Sequence, residues 1–276
     1  TLDVLVYTLF TNSLVGLAYW GVASAISNLV AHSGLISQAI YPKLLATGKK
    51  EFAEKNLERL MYFAIPLVAG SILFAKPALH ILNPIYIDGV IIVYFLTFRT
   101  FSNILLNNFF NILGAYENID LDKNASFKLY VKSRLFFLPT LLYIMNGLYI
   151  ILLIIFLIIS KDLGLNEVEL VSGWSLILLS VVIPFLLYGI LKVRQEYQIS
   201  FHLKSISKYV ASSIISFIVV FFALENSLVY SESVFDFLPQ LIPLILFAGL
   251  IYFGLTFLID KSTRELFSSI MNEIRK

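Results

Sequence analysis

Long runs of apolar residues, separated by short polar breaks, are the dominant pattern along this chain. A helix needs about 20 mainly apolar residues to cross a lipid bilayer. Seven runs reach that length, and an eighth, at the N-terminus, is shorter. The pattern predicts eight transmembrane helices, the first of them truncated, at residues 1–11, 16–42, 60–82, 87–114, 135–160, 168–191, 208–225 and 238–259.

These runs are too long for barrel strands, and they lack the alternation of apolar and polar residues that such strands show. Hydrophobic residues make up 59% of the 276 residues and charged residues only 14%, whereas soluble domains carry about a quarter of charged residues. The sequence therefore predicts an all-α, polytopic transmembrane helix bundle. No loop is long enough to form a soluble catalytic domain, so we expect a protein that is not an enzyme and has no nucleic-acid partner.

Metal and nucleotide chemistry have little support in the sequence. There is no cysteine, and the three histidines, His32, His80 and His202, are far apart, without a second ligand at metal-binding spacing. The segment from Asp120 begins like a calcium-binding loop, but Ala125 stands where glycine is required. No phosphate-binding glycine motif is present either. We expect no metal and no resident cofactor, although coupling to H⁺ or Na⁺ stays open.

The basic residues are concentrated in alternate loops. Seventeen of the 20 Lys and Arg residues lie in four segments, at 43–59, 123–134, 192–208 and 261–276. The loops at 83–86 and 226–237 contain none. Basic loops stay in the cytoplasm, so the four segments predict a multi-pass protein of the cell membrane with its C-terminus in the cytoplasm.

Arg99 is the most informative residue. It lies about a dozen residues into its predicted helix, roughly 18 Å from that end, too deep for its side chain to reach the interface easily. Asn103, Asn107 and Asn111 follow at helical spacing and form a polar stripe with it. The guanidinium group suits an anionic substrate such as a phosphate. A structural ion pair is the alternative to this substrate-binding role.

Asp3 is a second intramembrane charge, roughly 12 Å below the polar break at residues 12–13. A carboxylate at this depth is a candidate for coupling H⁺ or Na⁺, or for pairing with Arg99. It is equally compatible with an acid that has no such role.

The second predicted helix carries a further polar stripe. Ser24, Asn28 and His32 recur every four residues, and Gln38 follows. Asn28 and His32 are candidates for lining the same substrate cavity as Arg99. Hydrogen bonding between helices is the alternative for both, and for His32 it is the more common role. Pro66 and Gly70 in the third predicted helix suggest a kink there.

Several short motifs resemble those of one transporter family. Val15-Gly16-Leu17-Ala18-Tyr19 is similar to the entry of a helix in polysaccharide flippases, and Tyr41-Pro42-Lys43-Leu44 is similar to the end of that helix. Ile65-Pro66-Leu67 and the turn Leu82-Asn83-Pro84-Ile85-Tyr86 follow in the family's order, although Asn83 or Pro84 stands where glycine is usual. The segment 251–261 resembles the family's last helix. The chain thus resembles the C-terminal half of an O-antigen-type oligosaccharide flippase, a relative of the MATE exporters and the lipid II flippases.

The resemblance implies that the eight segments are helices seven to fourteen of fourteen. Residues 1–191 would form the C-terminal six-helix transport bundle, with its first helix truncated, and residues 192–276 two additional helices and a cytoplasmic tail. Such a protein moves polyprenyl-diphosphate-linked oligosaccharide from the cytoplasmic to the outer leaflet by alternating access. Arg99 would then contact the diphosphate, while Asn103 and Asn107 would meet sugar hydroxyls or phosphate. Its partners would be the lipid-linked oligosaccharide, the bilayer and the missing N-terminal half of the same chain.

Two alternatives remain. A MATE-type, cation-coupled multidrug antiporter shares the implied fold, but it would favour carboxylates in the cavity, whereas the clearest deep charge here is Arg99. A membrane-embedded glycan polymerase is less favoured, because such enzymes usually carry catalytic residues on a sizeable loop outside the membrane.

Overall fold

The structure of the chain is a computed structural model that describes residues 2–117, 126–231 and 233–274. Within these ranges the secondary structure is helical, without strands. This confirms the all-α prediction for the described residues. The loop at 118–125, which includes the start of the calcium-like segment and Lys123, lies outside them.

The described residues form twelve α-helices and two 3-10 helices. The α-helices are α1 (Leu2–Thr11), α2 (Leu14–Ser27), α3 (Ile40–Thr47), α4 (Lys50–Leu73), α5 (Ala75–Leu82), α6 (Val90–Ala115), α7 (Phe127–Lys132), α8 (Arg134–Leu163), α9 (Glu167–Tyr197), α10 (Leu203–Ser227), α11 (Val234–Ile259) and α12 (Lys261–Ile274). The 3-10 helices are Asn28–Ala39, called here the 3-10 segment, and Pro84–Gly89.

Six helical stretches are long and apolar enough to cross a membrane. They are Leu14–Thr47, Pro84–Ala115, Arg134–Leu163, Glu167–Tyr197, Leu203–Ser227 and Val234–Ile259. A seventh span results if the bent pair α4 and α5 counts as one, and α1 is an apolar helix of only ten residues. The structure therefore supports a multi-pass membrane protein with six or seven full spans, and the eighth predicted segment is a short helix.

The bend between α4 and α5 is 60° and lies at Phe74. Helix α4 runs through Pro66 and Gly70 without a break, so the kink expected there stays a prediction, and the break lies further along, at Phe74. The cause of the bend is Pro77, which lacks the N–H that would donate to the Leu73 carbonyl and whose ring clashes with that carbonyl. The chain accommodates Pro77 in the first turn of a new helix, where backbone N–H groups have no helical partner anyway.

The 3-10 segment interrupts the span that the sequence predicts as one α-helix over 16–42, and that prediction is wrong for residues 28–39. Two serine hydroxyls at and within this segment bond to carbonyls three residues back, as Ser160 and Ser175 also do inside α-helices of this chain. The Ser27 hydroxyl donates to the Ser24 carbonyl (3.1 Å) and the Ser33 hydroxyl to the Val30 carbonyl (2.8 Å). Gly34 weakens the α-helical preference of the segment.

Helix α6 lies at the centre of the bundle. It packs against α2, α3, α4, α9 and the 3-10 segment, and more than half of its span is buried. Helices α10 and α11 pack on each other and join the rest chiefly through α4. The division of the chain into residues 1–191 and 192–276 stays a prediction.

The basic segments 43–59, 123–134 and 192–208 are joined by contacts at one end of the bundle, called here the basic end. The segment 192–208 also contacts Asp260, which directly precedes the fourth segment. Ser200 donates to Glu54 (2.8 Å), and Lys208 forms an ion pair with Asp260 (2.9 Å). The segment around residue 134 joins them, because Arg134 forms an ion pair with Glu196 (2.8 Å).

The loops without basic residues lie at the opposite end. The Tyr19 hydroxyl donates to the Ile85 carbonyl (2.8 Å), and His80 Nε2 lies 3.0 Å from the Ser231 carbonyl oxygen. The charge asymmetry of the sequence thus corresponds to two ends of one bundle. Which end faces the cytoplasm stays a prediction.

Candidate functional site

The polar stripe predicted on the helix around Arg99 is present on α6, which is α-helical throughout. Arg99, Asn103 and Asn111 are half-buried and Asn107 is exposed, while most of the neighbouring residues are buried. In the described part of the chain, none of the three asparagine side chains has a hydrogen-bond partner. The stripe is therefore the open, polar face of an otherwise buried helix.

Arg99 lies close enough to Tyr149 and Asp3 to interact electrostatically with both. Its Nε atom is buried and has no hydrogen-bond partner among the described residues. A buried guanidinium N–H without an acceptor is costly, which leaves Arg99 able to bind an additional acceptor group. The structure thus brings the two predicted intramembrane charges, Arg99 and Asp3, into one region.

Asp3 contacts a hydroxyl that sequence reasoning missed, and Arg99 lies within electrostatic range of it. Tyr149 on α8 donates to Asp3 Oδ2 (3.1 Å) and accepts a hydrogen bond from the indole N–H of Trp174 on α9. Tyr149 is 6% exposed and Trp174 is fully buried. One signal is present in the sequence, because tyrosine usually lies at the membrane interfaces, whereas Tyr149 falls near the middle of its span.

Trp174 is held between two other aromatic rings. The Trp20 ring stacks on it at a centroid distance of 3.7 Å, and the Tyr7 ring lies at 4.9 Å. Tyr7 in turn donates to Glu167 (2.9 Å), and a Cβ atom at Gly16 would overlap the Tyr7 hydroxyl. These contacts tie α1, α2 and α9 together beside Arg99 and rigidify that part of the site.

A cavity of about 580 Å³ lies between the 3-10 segment, α6 and the first half of α8. Its polar lining consists of Ser37, Gln38, Tyr41, Asn107 and Asn111, and its apolar wall includes leucines of α8. The cavity lies toward the basic end, because it involves the last turns of α6 and the first turns of α8. It is large enough for a sugar-sized ligand.

The structure places only some of the predicted site residues at the cavity. Asn107 lines the cavity, whereas Arg99 and Asn103 lie further along α6, outside its lining. Asn28 and His32 are exposed on the 3-10 segment and also lie outside the lining. Their expected common stripe is not formed, because residues four apart on a 3-10 helix differ by about 120° in direction.

Asn108 has a different role from its neighbour Asn107. It is fully buried, and its amide donates to the Ser37 hydroxyl (3.0 Å) and to Asn56 Oδ1 (2.9 Å). The Asn56 amide donates to the Ile36 carbonyl (2.8 Å). These bonds hold the 3-10 segment against α4 and α6, and so determine the shape of one cavity wall.

A second polar cluster joins α4, α10 and α12 at the basic end. The Tyr209 hydroxyl lies 3.3 Å from Glu58 and 3.1 Å from Asp260, and both carboxylates are buried. Burial alone would raise the pKa of Asp260, but hydrogen bonds from Lys208 and Thr263 hold that pKa below the usual aspartate value. Because Asp260 also accepts from the Thr263 backbone N–H (3.0 Å), it caps α12. This cluster has a structural role.

Across residues 2–117, 126–231 and 233–274, no three histidine or acidic side chains lie close enough together to hold a metal ion. Comparison with family models, with curated proteins and with solved structures gives no match for this chain. The candidate site therefore consists of the Arg99 region and the adjoining cavity, and its function has to be argued from its own chemistry.

Proposed function

We propose that this chain belongs to a membrane transporter that flips polyprenyl-diphosphate-linked oligosaccharide from the cytoplasmic to the outer leaflet by alternating access. The observation that carries the proposal is the open face of α6. There a half-buried arginine, whose Nε has no hydrogen-bond partner in the part of the chain that the structure describes, is followed on the same helix by amides that lead into a polar cavity. Such a protein rearranges no covalent bonds in its substrate and acts in the synthesis of cell-surface glycans.

The chemistry of Arg99 suits the charged part of this substrate. Guanidinium groups bind phosphate oxygens through two parallel hydrogen bonds, and the attraction is strong where water is scarce. Asp3 lies within electrostatic range of Arg99 and would compete with a diphosphate for it. Protonation of Asp3, or Na⁺ bound to it, would weaken that competition, and this is a route for ion coupling.

The exposed polar residues point to a further partner for this bundle. Asn28 and His32 lie on the exposed surface of the 3-10 segment, and Asn107 is exposed on α6. Amides that faced hydrocarbon would lose hydrogen bonds at a cost of several kcal/mol each. A second helical bundle, supplied by the N-terminal half of the same protein, would enclose this face as the other side of a water-filled transport pathway. We place the basic end in the cytoplasm of the cell that carries the protein in its cell membrane.

A MATE-type, cation-coupled multidrug antiporter is the second candidate. The contact that favours it is the one between Asp3 and Tyr149, because a carboxylate held inside the membrane is suited to cation binding. A glycan polymerase is less favoured. The described segments between spans are short, and the buried acids at the basic end, Glu58 and Asp260, are engaged in the cluster around Tyr209.

Transport in proteoliposomes tests the proposal with the complete protein. The probe is a fluorescent polyprenyl-diphosphate-linked disaccharide, whose transbilayer movement is followed for the wild type and for Arg99→Ala. We expect the wild type to move the probe and Arg99→Ala to lose about tenfold or more of the rate, because it lacks the charge-assisted bonds. Arg194→Ala is the matched control, since Arg194 is an exposed arginine on α9 near the basic end.

Three outcomes would contradict parts of this proposal. A wild-type protein that ignores the lipid-linked probe and exports organic cations would replace the flippase by the antiporter. Equal rates for Arg99→Ala and the wild type would remove Arg99 from the binding site. Polymerisation of the probe in the same vesicles would instead point to an enzyme.

A further inference from the structure

The cavity beside α6 has an uncharged lining as far as the described residues form it. Their polar groups are two asparagines, a glutamine, a serine and a tyrosine, and no Asp, Glu, Lys or Arg is among the described lining residues. Asn107 and Asn111 come from α6, and Gln38 comes from the 3-10 segment across the cavity. The charged group of the site, Arg99, lies two helical turns away from Asn107, about 12 Å along the axis.

The amides of the cavity are available to a ligand. Within the described ranges, the side chains of Asn107, Asn111 and Gln38 have no hydrogen-bond partner. Asn108 differs from them, since its amide donates two hydrogen bonds to Ser37 and Asn56, although its buried Oδ1 has no partner among the described residues. The neighbouring amides in the lining are thus left open on the cavity side.

A carboxamide offers one acceptor and two donors side by side. Sugar hydroxyls and N-acetyl groups also combine donors and acceptors, so they can pair with several amides in different orientations. A carboxylate or phosphate only accepts, so it can use the N–H donors of these amides but not their carbonyl oxygens, and it meets no cation among the described lining residues. The cavity is therefore complementary to polar ligands without charge.

We infer that this cavity binds the glycan part of the substrate and selects uncharged sugars over acidic ones. The inference rests on the proposed flippase function and assigns its two chemical tasks to separate places. Arg99 binds the diphosphate, and Gln38, Asn107 and Asn111 bind the sugars. Asn108 is a positioning residue, because it acts only by holding the 3-10 segment that carries Gln38.

The experiment compares two probes with the complete protein in proteoliposomes. Both probes carry the same polyprenyl diphosphate and an N-acetylhexosamine. The second sugar is a hexose in the neutral probe and the corresponding hexuronic acid in the acidic probe. We expect kcat/KM for the neutral probe to exceed that for the acidic probe by about tenfold, because the acidic sugar uses only the N–H donors of the amides and meets no cation among the described lining residues.

Two variants test whether the lining of the cavity causes the preference for the neutral probe. Asn107→Lys supplies a cation, so we expect it to shift the preference toward the acidic probe by about tenfold. Asn111→Ala removes an amide, and we expect it to raise KM for the neutral probe with less change for the acidic one. Asn226→Lys is the matched control, because this asparagine is exposed at the end of α10, away from the cavity, and it should leave the preference unchanged.

The outcomes separate this inference from the proposed function. The inference that this cavity selects uncharged sugars is wrong if the wild type moves both probes equally well. It is also wrong if Asn107→Lys leaves the preference unchanged while the protein remains monodisperse. In both cases the flippase function stands. If the wild type moves neither probe, the proposed function itself fails, and this inference fails with it.

Discussion

Asn107 and Asn108 are adjacent and chemically identical, but they lie in different environments. One step along an α-helix turns the side chain by about 100°, so the two point in different directions. Asn107 is exposed on the cavity side, whereas Asn108 is fully buried and donates two hydrogen bonds. Steps of four residues from Arg99 reach Asn107 and not Asn108. The structure agrees, because it exposes Asn107 and buries Asn108.

Tyr149 is the residue whose importance only the structure reveals. In the sequence it is one aromatic residue among many in an apolar run. In the fold its hydroxyl connects Asp3 on α1 with Trp174 on α9, and Arg99 lies within electrostatic range. Three helices far apart in the sequence must pack together before this connection exists.

Removing this hydroxyl should destabilise the protein. Tyr149→Phe leaves the buried indole N–H of Trp174 without an acceptor, which costs about 1–3 kcal/mol in the free energy of unfolding. Both tryptophans of this chain stack in the same cluster, so tryptophan fluorescence during denaturation in detergent micelles reports on it directly. Tyr143→Phe is the control, because Tyr143 lies on the same helix and is 78% exposed.

We expect the unfolding midpoint of Tyr149→Phe to fall below that of the wild type, while the midpoint of Tyr143→Phe stays unchanged. Indistinguishable midpoints for the two variants would mean that the contact with Trp174 contributes little to stability.

At the scale of elements, two prolines in one apolar stretch have different effects. The chain continues as a helix through Pro66 but breaks just before Pro77, with a bend of 60°. The sequence predicts a kink at Pro66, with Gly70, because a proline within an apolar helix is a common cause of a kink, and it does not point to Pro77. The packing of α5 against the 3-10 helix at Pro84–Gly89 and against α6 favours the bend at Pro77.

Replacing Pro77 should straighten this span. Pro77→Ala restores an N–H that can donate to the Leu73 carbonyl, so α4 and α5 can form one continuous helix. Spin labels attached at Glu51→Cys and Leu82→Cys, in a chain without native cysteine, should move apart by about 5 Å, as measured by pulsed electron paramagnetic resonance. Pro66→Ala is the matched control and should leave the distance as in the wild type. A bend that persists in Pro77→Ala would assign it to the packing of α5.

The 3-10 segment is the element that the sequence predicts least well. Its apolar and polar residues are compatible with an α-helix, and hydrogen bonds from Asn108 and Asn56 hold it in place. Those contacts come from α4 and α6, which are remote in sequence. The change in winding separates Asn28 and His32 in direction and brings Gln38 to the cavity.

At the scale of the whole molecule, charge and contacts agree about which segments share an end. Basic segments that are far apart in the sequence are joined by Lys208 with Asp260 and by Arg134 with Glu196. The opposite end joins residues near 80 and 231. If the basic end is cytoplasmic, residues near 194 face the cell interior and those near 163 the exterior.

Cysteine labelling of whole cells tests this orientation, because the chain has no cysteine of its own. A membrane-impermeant maleimide should label Leu163→Cys, a position 63% exposed at the end of α8, in intact cells. It should label Arg194→Cys only after the membrane is permeabilised. The reverse pattern would invert the predicted topology.

The sequence by itself determined the helical class, most of the spans, the pairing of segments by charge and the polar stripe at Arg99. These properties follow from apolar run lengths and from helical spacing, which are local or additive along the chain. Only the tertiary structure decided the connection through Tyr149, the break at Pro77, the winding of the 3-10 segment and the cavity that joins Gln38 to Asn107. The physical reason is that each of these depends on which helix packs against which, and neighbours that are remote in the sequence leave no periodic pattern in it.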